Sequence, residues 1–244
     1  MELKNAVVLI TGSAGRIGKA ISMLLARKGA QVVLHYRTQA ENARKTAAEI
    51  SAFGLTPSIV SGDVSKAEDW QKMTDETLAA HGHIDVLINN AAIFYRTPFL
   101  KTTEADWDHF MDVNLKSVYL GCRIIGEKMV AQKQGKIINM TDVATEKIWE
   151  NYIPYSVSKA GVVALTKGLA KALAPHVTVN AISPGAVLLP DDYSEKRTTY
   201  LTETTPLKRI GSPEDIARTA AFLLEGSDFV TGTIIKVDGG RSLE

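Results

Sequence analysis

A tyrosine and a lysine four residues apart, Tyr155 and Lys159, are the side chains of this sequence best suited to proton transfer. Pro154 precedes the tyrosine, and proline is favoured in the first turn of a helix because its missing N–H has no partner there. In a helix that begins here, positions 155 and 159 share one face. A neighbouring ammonium and a helix N-terminus both favour the phenolate, so we expect a lowered phenol pKa and proton exchange near neutral pH. By itself, the spacing also fits a solvated helix face.

A glycine-containing turn near the N-terminus is the second candidate element, with the sequence Thr11-Gly12-Ser13-Ala14-Gly15-Arg16-Ile17-Gly18. It follows a short apolar run and opens a helical pattern. Glycines let the backbone approach a pyrophosphate, and the free N–H groups of a helix N-terminus can bind it. We therefore predict a nucleotide site that uses Gly12, Arg16 and Ile17, although turns also need glycine for their own geometry.

The end of the next apolar run indicates which dinucleotide is bound. Sites for NAD usually have an Asp or Glu here, which accepts from the ribose 2′-OH. This chain instead has His35, Tyr36, Arg37 and Thr38, and no acid occurs until Glu41. A carboxylate would repel a 2′-phosphate, whereas Arg37, Thr38 and the nearby Arg16 could bind one. The sequence therefore predicts NADPH as the cofactor, the alternative for Arg37 being a solvated strand end.

Apolar runs of strand length alternate with helical patterns almost to the end of the chain. The alternation predicts an α/β fold, a Rossmann-type doubly wound parallel sheet with helices on both faces, in one domain over residues 1–244. The predicted strands are 6–11, 31–36, 56–61, 84–88, 136–140, 177–182 and 233–237. A long helical region is expected within 103–133.

Ligands of such sheets bind outside the C-terminal ends of the strands, so residues that follow each strand are further candidates. Asp63 could accept from the adenine amino group or cap a turn, and Asn89 could approach the cofactor or serve as a turn residue. The other candidates at this edge are Val64, Ala91, Pro184 and Gly185. The long segment 185–206 has no clear periodicity and is predicted to be a lid over the crevice.

Composition excludes several classes of protein. The chain has 244 residues, of which 45% are hydrophobic and 23% charged, with a formal net charge of +1, so nucleic-acid or anionic-membrane binding has no support. The one cysteine, Cys122, cannot form an internal disulfide, which fits a reducing cytoplasm. No apolar stretch approaches the roughly 18 residues of a membrane helix. We expect a soluble cytoplasmic protein, and we predict no metal site.

Taken together, these landmarks resemble the short-chain dehydrogenase/reductase family over nearly the whole chain. The resemblance adds Asn114, in Val113-Asn114-Leu115, to the segments already named. Two departures from the common family pattern point to one branch. Arg16 stands where TGxxxGxG has its second glycine, and Asp142 stands where the catalytic serine is usual, thirteen residues before the tyrosine. Both are similar to the pteridine reductase branch, as are the segments 34–37, 89–95 and, less specifically, 237–241.

The resemblance implies roles for individual residues. Tyr155, tuned by Lys159, would donate a proton together with Asp142, and Lys159 would also bind the nicotinamide ribose. Asn114 would support a water chain to Lys159, and Phe94 would stack a pterin against the nicotinamide. Trp149 and Tyr152 could line the substrate side, but two aromatics before a helix are more often packing residues, so both are left out of the predicted site. The resemblance also implies a homotetramer built on the helical regions near 103–133 and 154–174.

The predicted function is therefore an NADPH-dependent reductase of the C=N bonds of a pterin, with dihydrobiopterin-type compounds and dihydrofolate as the candidate substrates. A ketone reductase needs donors aimed at the oxygen that becomes negative, and an ionised aspartate cannot donate. An Asp–Tyr pair can instead protonate a ring nitrogen. Asp142 could also be a simple turn residue. The alternatives are a carbonyl reductase of the same family, such as a 3-oxoacyl thioester reductase, and a non-catalytic NADPH-binding sensor.

Overall fold

The computed structural model describes residues 1–189 and 193–243, and its centre is one sheet of seven parallel strands. The strand order is β3-β2-β1-β4-β5-β6-β7, which confirms the predicted doubly wound fold. The strands are β1 Val7–Ile10, β2 Gln31–Tyr36, β3 Ser58–Ser61, β4 Val86–Asn89, β5 Gly135–Met140, β6 Val177–Pro184 and β7 Ile234–Val237. The chain reverses its direction of winding between β1 and β4, and ligand crevices of this fold open at that point.

Helices cover both faces of the sheet. They are α1 Arg16–Arg27, α2 Ala40–Ser51, α3 Ala67–His81, α4 Glu104–Phe110, α5 Ser117–Ala131, α6 Ile153–Ala172, α7 Glu195–Thr204 and α8 Pro213–Glu225. Side chains of a strand alternate between faces, and β1 shows the result. Val8 and Ile10 pack with α1 and α8, whereas Val7 and Leu9 pack with α3, α5 and α6. None of the described helices is both long and apolar enough to cross a membrane.

Two predicted segments differ from the structure. The helical region 103–133 is split by a π-helical turn, Met111–Lys116, between α4 and α5. Such turns add a residue to the helix and often occur at functional sites, and this one contains the buried Asn114. The predicted lid contains a helix, α7, that the sequence did not reveal. Part of that lid, residues 190–192, lies outside the described residues.

Candidate active site

A cavity of about 1160 Å³ opens at the C-terminal edge of the sheet. Most of the predicted site residues line it: Gly12, Arg16, Ile17, His35, Tyr36, Arg37, Thr38, Val64, Ala91, Phe94, Asp142, Tyr155, Lys159, Pro184 and Gly185. Three predicted residues, Asp63, Asn89 and Asn114, do not line it. Because its lining includes both the glycine turn and Tyr155, one cavity connects the two predicted parts of the site.

The glycine turn has the geometry that a dinucleotide pyrophosphate requires. Gly12 has a φ of +64°, in the region that favours glycine. A Cβ on Gly18 would lie 2.4 Å from the carbonyl oxygen of Gly12, so only glycine lets α1 begin so close to the turn. A Cβ on Gly15 would meet nothing within 4 Å, because that residue faces the cavity. The first N–H groups of α1 therefore lie beside open space, which fits a bound phosphate.

His35 supports this turn and does not offer a side chain to a ligand. The backbone N–H of Gly12 donates to its Nδ1 at 3.0 Å, and its Nε2 lies 3.0 Å from the carbonyl oxygen of Gly62. Nδ1 is thus the acceptor, and Nε2 carries the proton of a neutral ring. Burial lowers the pKa of His35, although the bond to Gly62 and the carboxylates of Asp63 and Asp69 oppose the shift. The prediction of His35 as a cofactor ligand is corrected to a positioning role.

Acid is expected to destabilise the protein through His35. Because its pKa is lower when folded, its contribution is complete above the unfolded value of about 6.5 and is lost as pH falls below it. One proton changes the unfolding free energy by at most about 1.4 kcal/mol per pH unit. The measurement is urea unfolding between pH 7 and pH 5. Burial also lowers the pKa of His81, so the wild-type slope contains both residues.

His35→Gln keeps a donor towards Gly62 and does not titrate, so this variant should show a smaller slope than wild type. His109→Gln on the exposed face of α4 is the matched control and should leave the slope unchanged. An unchanged slope in His35→Gln would contradict this assignment of the titrating group.

Asp63, predicted either to accept from the adenine amino group or to cap a turn, caps a turn and does not line the cavity. Its Oδ1 accepts from the backbone N–H and the hydroxyl of Ser65, and its Oδ2 lies 3.7 Å from Nη1 of Arg37. Burial alone would raise the pKa of Asp63, but the Ser65 hydrogen bonds and the Arg37 guanidinium outweigh burial and lower it. The carboxylate therefore closes a turn and orients Arg37, which itself lines the cavity.

Asn89 and Asn90 point in opposite directions. The amide of Asn89 is buried and donates to Oδ1 of Asn139 at 2.9 Å, so its side chain belongs to the core. Asn90 lines the cavity, and its amide donates to the carbonyl oxygens of Thr11 and Gly12. The prediction of Asn89 as a cofactor residue is corrected: Asn90 is the residue that fixes the glycine turn.

Asn114 holds backbone beside the substrate end of the cavity. Its Oδ1 accepts from the N–H of Ile93 at 2.8 Å, and its Nδ2 donates to the carbonyl of Ile93 and to the Ser158 hydroxyl. Both polar ends of the amide are therefore engaged by protein groups. In the structure this side chain places Ile93 and thus the adjacent Phe94, while its support of a water chain to Lys159 stays a prediction.

Asp142, Tyr155 and Lys159 converge where β5 ends and α6 begins. The Tyr155 hydroxyl donates to Oδ2 of Asp142 at 2.7 Å, and Oδ1 of Asp142 accepts from the N–H of Ala144. Lys159 Nζ donates to the carbonyl oxygen of Met140, the last residue of β5, and lies 6.0 Å from the centre of the Tyr155 ring. Proline occupies the first turn of α6, as predicted. Carboxyl, phenol and ammonium thus form one group, in which Tyr155 and Lys159 are buried and Asp142 is half-buried.

The electrostatics of this group correct the expected direction for the phenol. Burial raises the pKa of Tyr155 well above its usual value, and the Asp142 carboxylate that accepts its proton adds to the rise. Burial also raises the pKa of Asp142 and lowers the pKa of Lys159 to about 8. Tyr155 is therefore a protonated hydroxyl at neutral pH, able to donate, rather than the acidified phenol that its spacing from Lys159 predicted.

An aromatic slot, formed by Phe94, Trp149, Tyr152 and Tyr155, lies against this group. The rings of Phe94 and Tyr152 are stacked, with centroids 4.7 Å apart and an interplanar angle of 4°. Phe94 meets Tyr155 edge-on at 4.8 Å and Trp149 edge-on at 6.3 Å. Phe94 remains 42% exposed. The interpretation of Trp149 and Tyr152 as packing outside the site is wrong, because both line the cavity.

A doubly wound nucleotide-binding fold with a buried Tyr–Lys pair defines an oxidoreductase architecture, and comparisons with known proteins agree. A family model described as enoyl-(acyl carrier protein) reductase matches residues 12–242. The chain is 38% identical to (2S)-[(R)-hydroxy(phenyl)methyl]succinyl-CoA dehydrogenase subunit BbsD of Thauera aromatica, over 100% of this chain and 99% of that protein. It is 34% identical to the 3-oxoacyl-[acyl-carrier-protein] reductase FabG of Staphylococcus epidermidis, over 97% and 98%.

A solved structure agrees over the same length. A candidate gluconate dehydrogenase from Agrobacterium tumefaciens superposes with a TM-score of 0.93 at 31% identity, over 99% of this chain and 97% of that one. The chain belongs to the short-chain dehydrogenase/reductase family, whose members are oxidoreductases that use nicotinamide cofactors. The pteridine reductase branch is not among the relatives that these comparisons name.

Proposed function

We propose that the chain is an NADPH-dependent reductase of a flat, pterin-like ring with a C=N bond. The observation that carries the proposal is the bond between the Tyr155 hydroxyl and Asp142, at the position where the family usually has a serine. The relatives named above are a dehydrogenase of a hydroxyacyl-CoA and a 3-oxoacyl reductase, so their names favour a carbonyl or alcohol substrate. The proposal therefore rests on the chemistry of this site.

The charge at Asp142 is the reason for preferring a C=N bond. A carbonyl oxygen becomes negative as it is reduced and needs donors, whereas an ionised carboxylate only accepts and opposes that charge. A ring nitrogen that is reduced needs one proton, which Tyr155 can donate. The neighbouring N–H groups of a pterin can donate to a carboxylate, which a simple ketone cannot do. The aromatic slot offers a flat ring the open face of Phe94.

The chain's own residues suit NADPH. In this proposal the glycine turn and Arg16 hold the pyrophosphate, Arg37 and Thr38 bind the 2′-phosphate, and Lys159 binds the nicotinamide ribose. NADPH supplies the hydride when bound. Tyr155 would give its proton to the ring nitrogen, and Asp142, already hydrogen-bonded to the phenol, would take up a proton from solvent and pass it to the resulting phenolate. The raised pKa of Asp142 brings this carboxyl closer to the range in which it can carry a proton.

The second candidate is a carbonyl reductase of the 3-oxoacyl thioester type, which the names of the relatives favour. It requires Asp142 to be protonated, so that the carboxyl donates to the developing negative oxygen as a serine would. Burial of Asp142 shifts its pKa in that direction.

The homotetramer remains a proposal in either case, and Trp107 and Tyr119 of α4 and α5 expose apolar surface that association would cover.

The test is a panel of substrates followed by the loss of reduced-nicotinamide absorbance. With NADPH, we expect turnover of dihydrobiopterin or dihydrofolate, and slower turnover with NADH. Turnover of an acetoacetyl thioester, with none of the pterins, would overturn the proposal in favour of the second candidate. NADPH binding by fluorescence without turnover of any substrate would instead favour a non-catalytic sensor.

A further inference from the structure

Two arginines stand at the outer end of the aromatic slot, and neither the fold nor the proton-transfer group explains them. Among the described residues, the acids that line the cavity are Asp142 and Glu150 only. The basic side chains beyond the cofactor end are Arg96, Lys147, Arg197 and Arg241. The Arg241 side chain is held against α7, because it donates to the Thr204 hydroxyl at 2.8 Å. Arg96 and Arg197 line the cavity and are exposed.

Arg197 is joined to the slot through two tyrosines. Its guanidinium carbon lies 4.5 Å from the centre of the Tyr193 ring, an arrangement that fixes its position by cation–π attraction. Tyr193 is hydrogen-bonded to the hydroxyl of Tyr152, whose ring stacks on Phe94. A continuous row of side chains therefore leads from the ring-binding surface to a guanidinium group.

Arg96 is the second basic residue that lines this end of the cavity. It follows Phe94 by two residues, in the segment that Asn114 holds through Ile93. Burial raises the pKa of Tyr152, while the positive charges of Arg197 and Arg96 both act to lower it. Arg96, Tyr152 and Arg197 all line the same cavity, and both guanidinium charges act on the Tyr152 hydroxyl.

We propose that Arg96 and Arg197 form a subsite for an anionic group on the tail of the substrate. Planar guanidinium groups bind carboxylates and phosphates through paired N–H donors, and both chemistries fit this site. The inference builds on the proposed function, because it assumes that the reacting end of the substrate lies against Phe94. It does not depend on whether that end is a pterin or a β-keto thioester, since either can carry an anionic tail.

The experiment pairs substrates that share a reacting group and differ in tail charge. For pterins, the neutral member is dihydrobiopterin, and the anionic members are dihydrofolate, with carboxylates, and dihydroneopterin monophosphate. For carbonyls, the pair is the N-acetylcysteamine thioester of acetoacetate, which is neutral, and acetoacetyl-CoA, which carries phosphates. Arg96→Gln, Arg197→Gln and the double variant are compared with wild type at saturating NADPH. Lys72→Gln, an exposed charge removed from α3, is the control.

Each single variant should raise KM for an anionic-tailed substrate by roughly tenfold and leave kcat nearly unchanged, because the contact binds ground state and transition state alike. KM for the neutral partner should change little. The difference between dihydrofolate and the monophosphate identifies which anion is preferred. Equal KM changes for neutral and anionic members, or none for either, would overturn the subsite. Failure of every pterin, with the charge effect retained in the thioester pair, would overturn the proposed function alone.

Discussion

Tyr155→Phe is expected to lower kcat by about 100- to 10,000-fold, the range of a positioned general acid. The variant keeps the ring that Phe94 meets edge-on and removes the hydroxyl that donates to Asp142. The raised pKa of Tyr155 makes this hydroxyl a bound proton at neutral pH, so its loss removes the donor itself. NADPH binding should be retained, since the glycine turn and Lys159 are unchanged.

Steady-state kinetics and titration of NADPH fluorescence together check this expectation. Tyr119→Phe on the exposed face of α5 is the matched control, because it removes a hydroxyl far from the cavity lining, and its kcat should equal that of wild type. A loss of less than tenfold in Tyr155→Phe, with NADPH affinity intact, would mean that the proton comes from another group.

The fold could be predicted from the sequence because it follows from patterns that repeat. Apolar runs of strand length alternate with amphipathic helices, and parallel strands bring the residues after them to one edge of the sheet. The glycine turn, Asp142, Tyr155 and Lys159 therefore reach one cavity although up to 147 positions separate Gly12 from Lys159. The sequence does not predict α7, because this helix has no clear apolar stripe. None of its residues is fully buried.

The directions of single side chains could not be predicted in the same way. Asn89 is the last residue of β4 and Asn90 follows it, but successive residues point to opposite faces, so Asn89 enters the core and Asn90 the cavity. His35 and Asp63 stand at the expected edge, yet neighbouring backbone and Ser65 engage their polar atoms. Trp149 and Tyr152 reach the slot through an irregular segment after β5, which no sequence period describes.

The sequence predicts the wrong direction for the pKa shift of Tyr155, for a related reason. Spacing revealed the charge of Lys159 one helical turn away, and that charge alone would favour the phenolate. Spacing did not reveal that the phenol is buried or that it donates to a carboxylate thirteen residues earlier. Desolvation and the nearby negative charge are the larger effects in this site, so the tertiary structure reverses the expectation from local sequence.

Asp142→Asn should separate the two candidate functions, and it should do so without unfolding the protein. Because burial raises the folded pKa of Asp142, the folded state loses stability as pH rises from the unfolded value of 3.8 through the folded one. Asparagine keeps one oxygen that can accept from the N–H of Ala144, its Nδ2 can donate to the Tyr155 hydroxyl oxygen, and it carries no charge to desolvate. Its Tm at neutral pH should therefore equal or exceed that of wild type.

The activities of Asp142→Asn and Asp142→Ser should then move in opposite directions for the two substrate classes. Neither side chain can return a proton to Tyr155 as a carboxyl does, so pterin reduction should fall by about 100-fold or more. Both side chains can donate to a developing negative oxygen, and a single such donor contributes about 100- to 1,000-fold. Reduction of an acetoacetyl thioester should thus rise, most in Asp142→Ser. Retained pterin turnover in both variants, measured as kcat/KM with NADPH, would show that the carboxyl is not the proton relay that distinguishes this site.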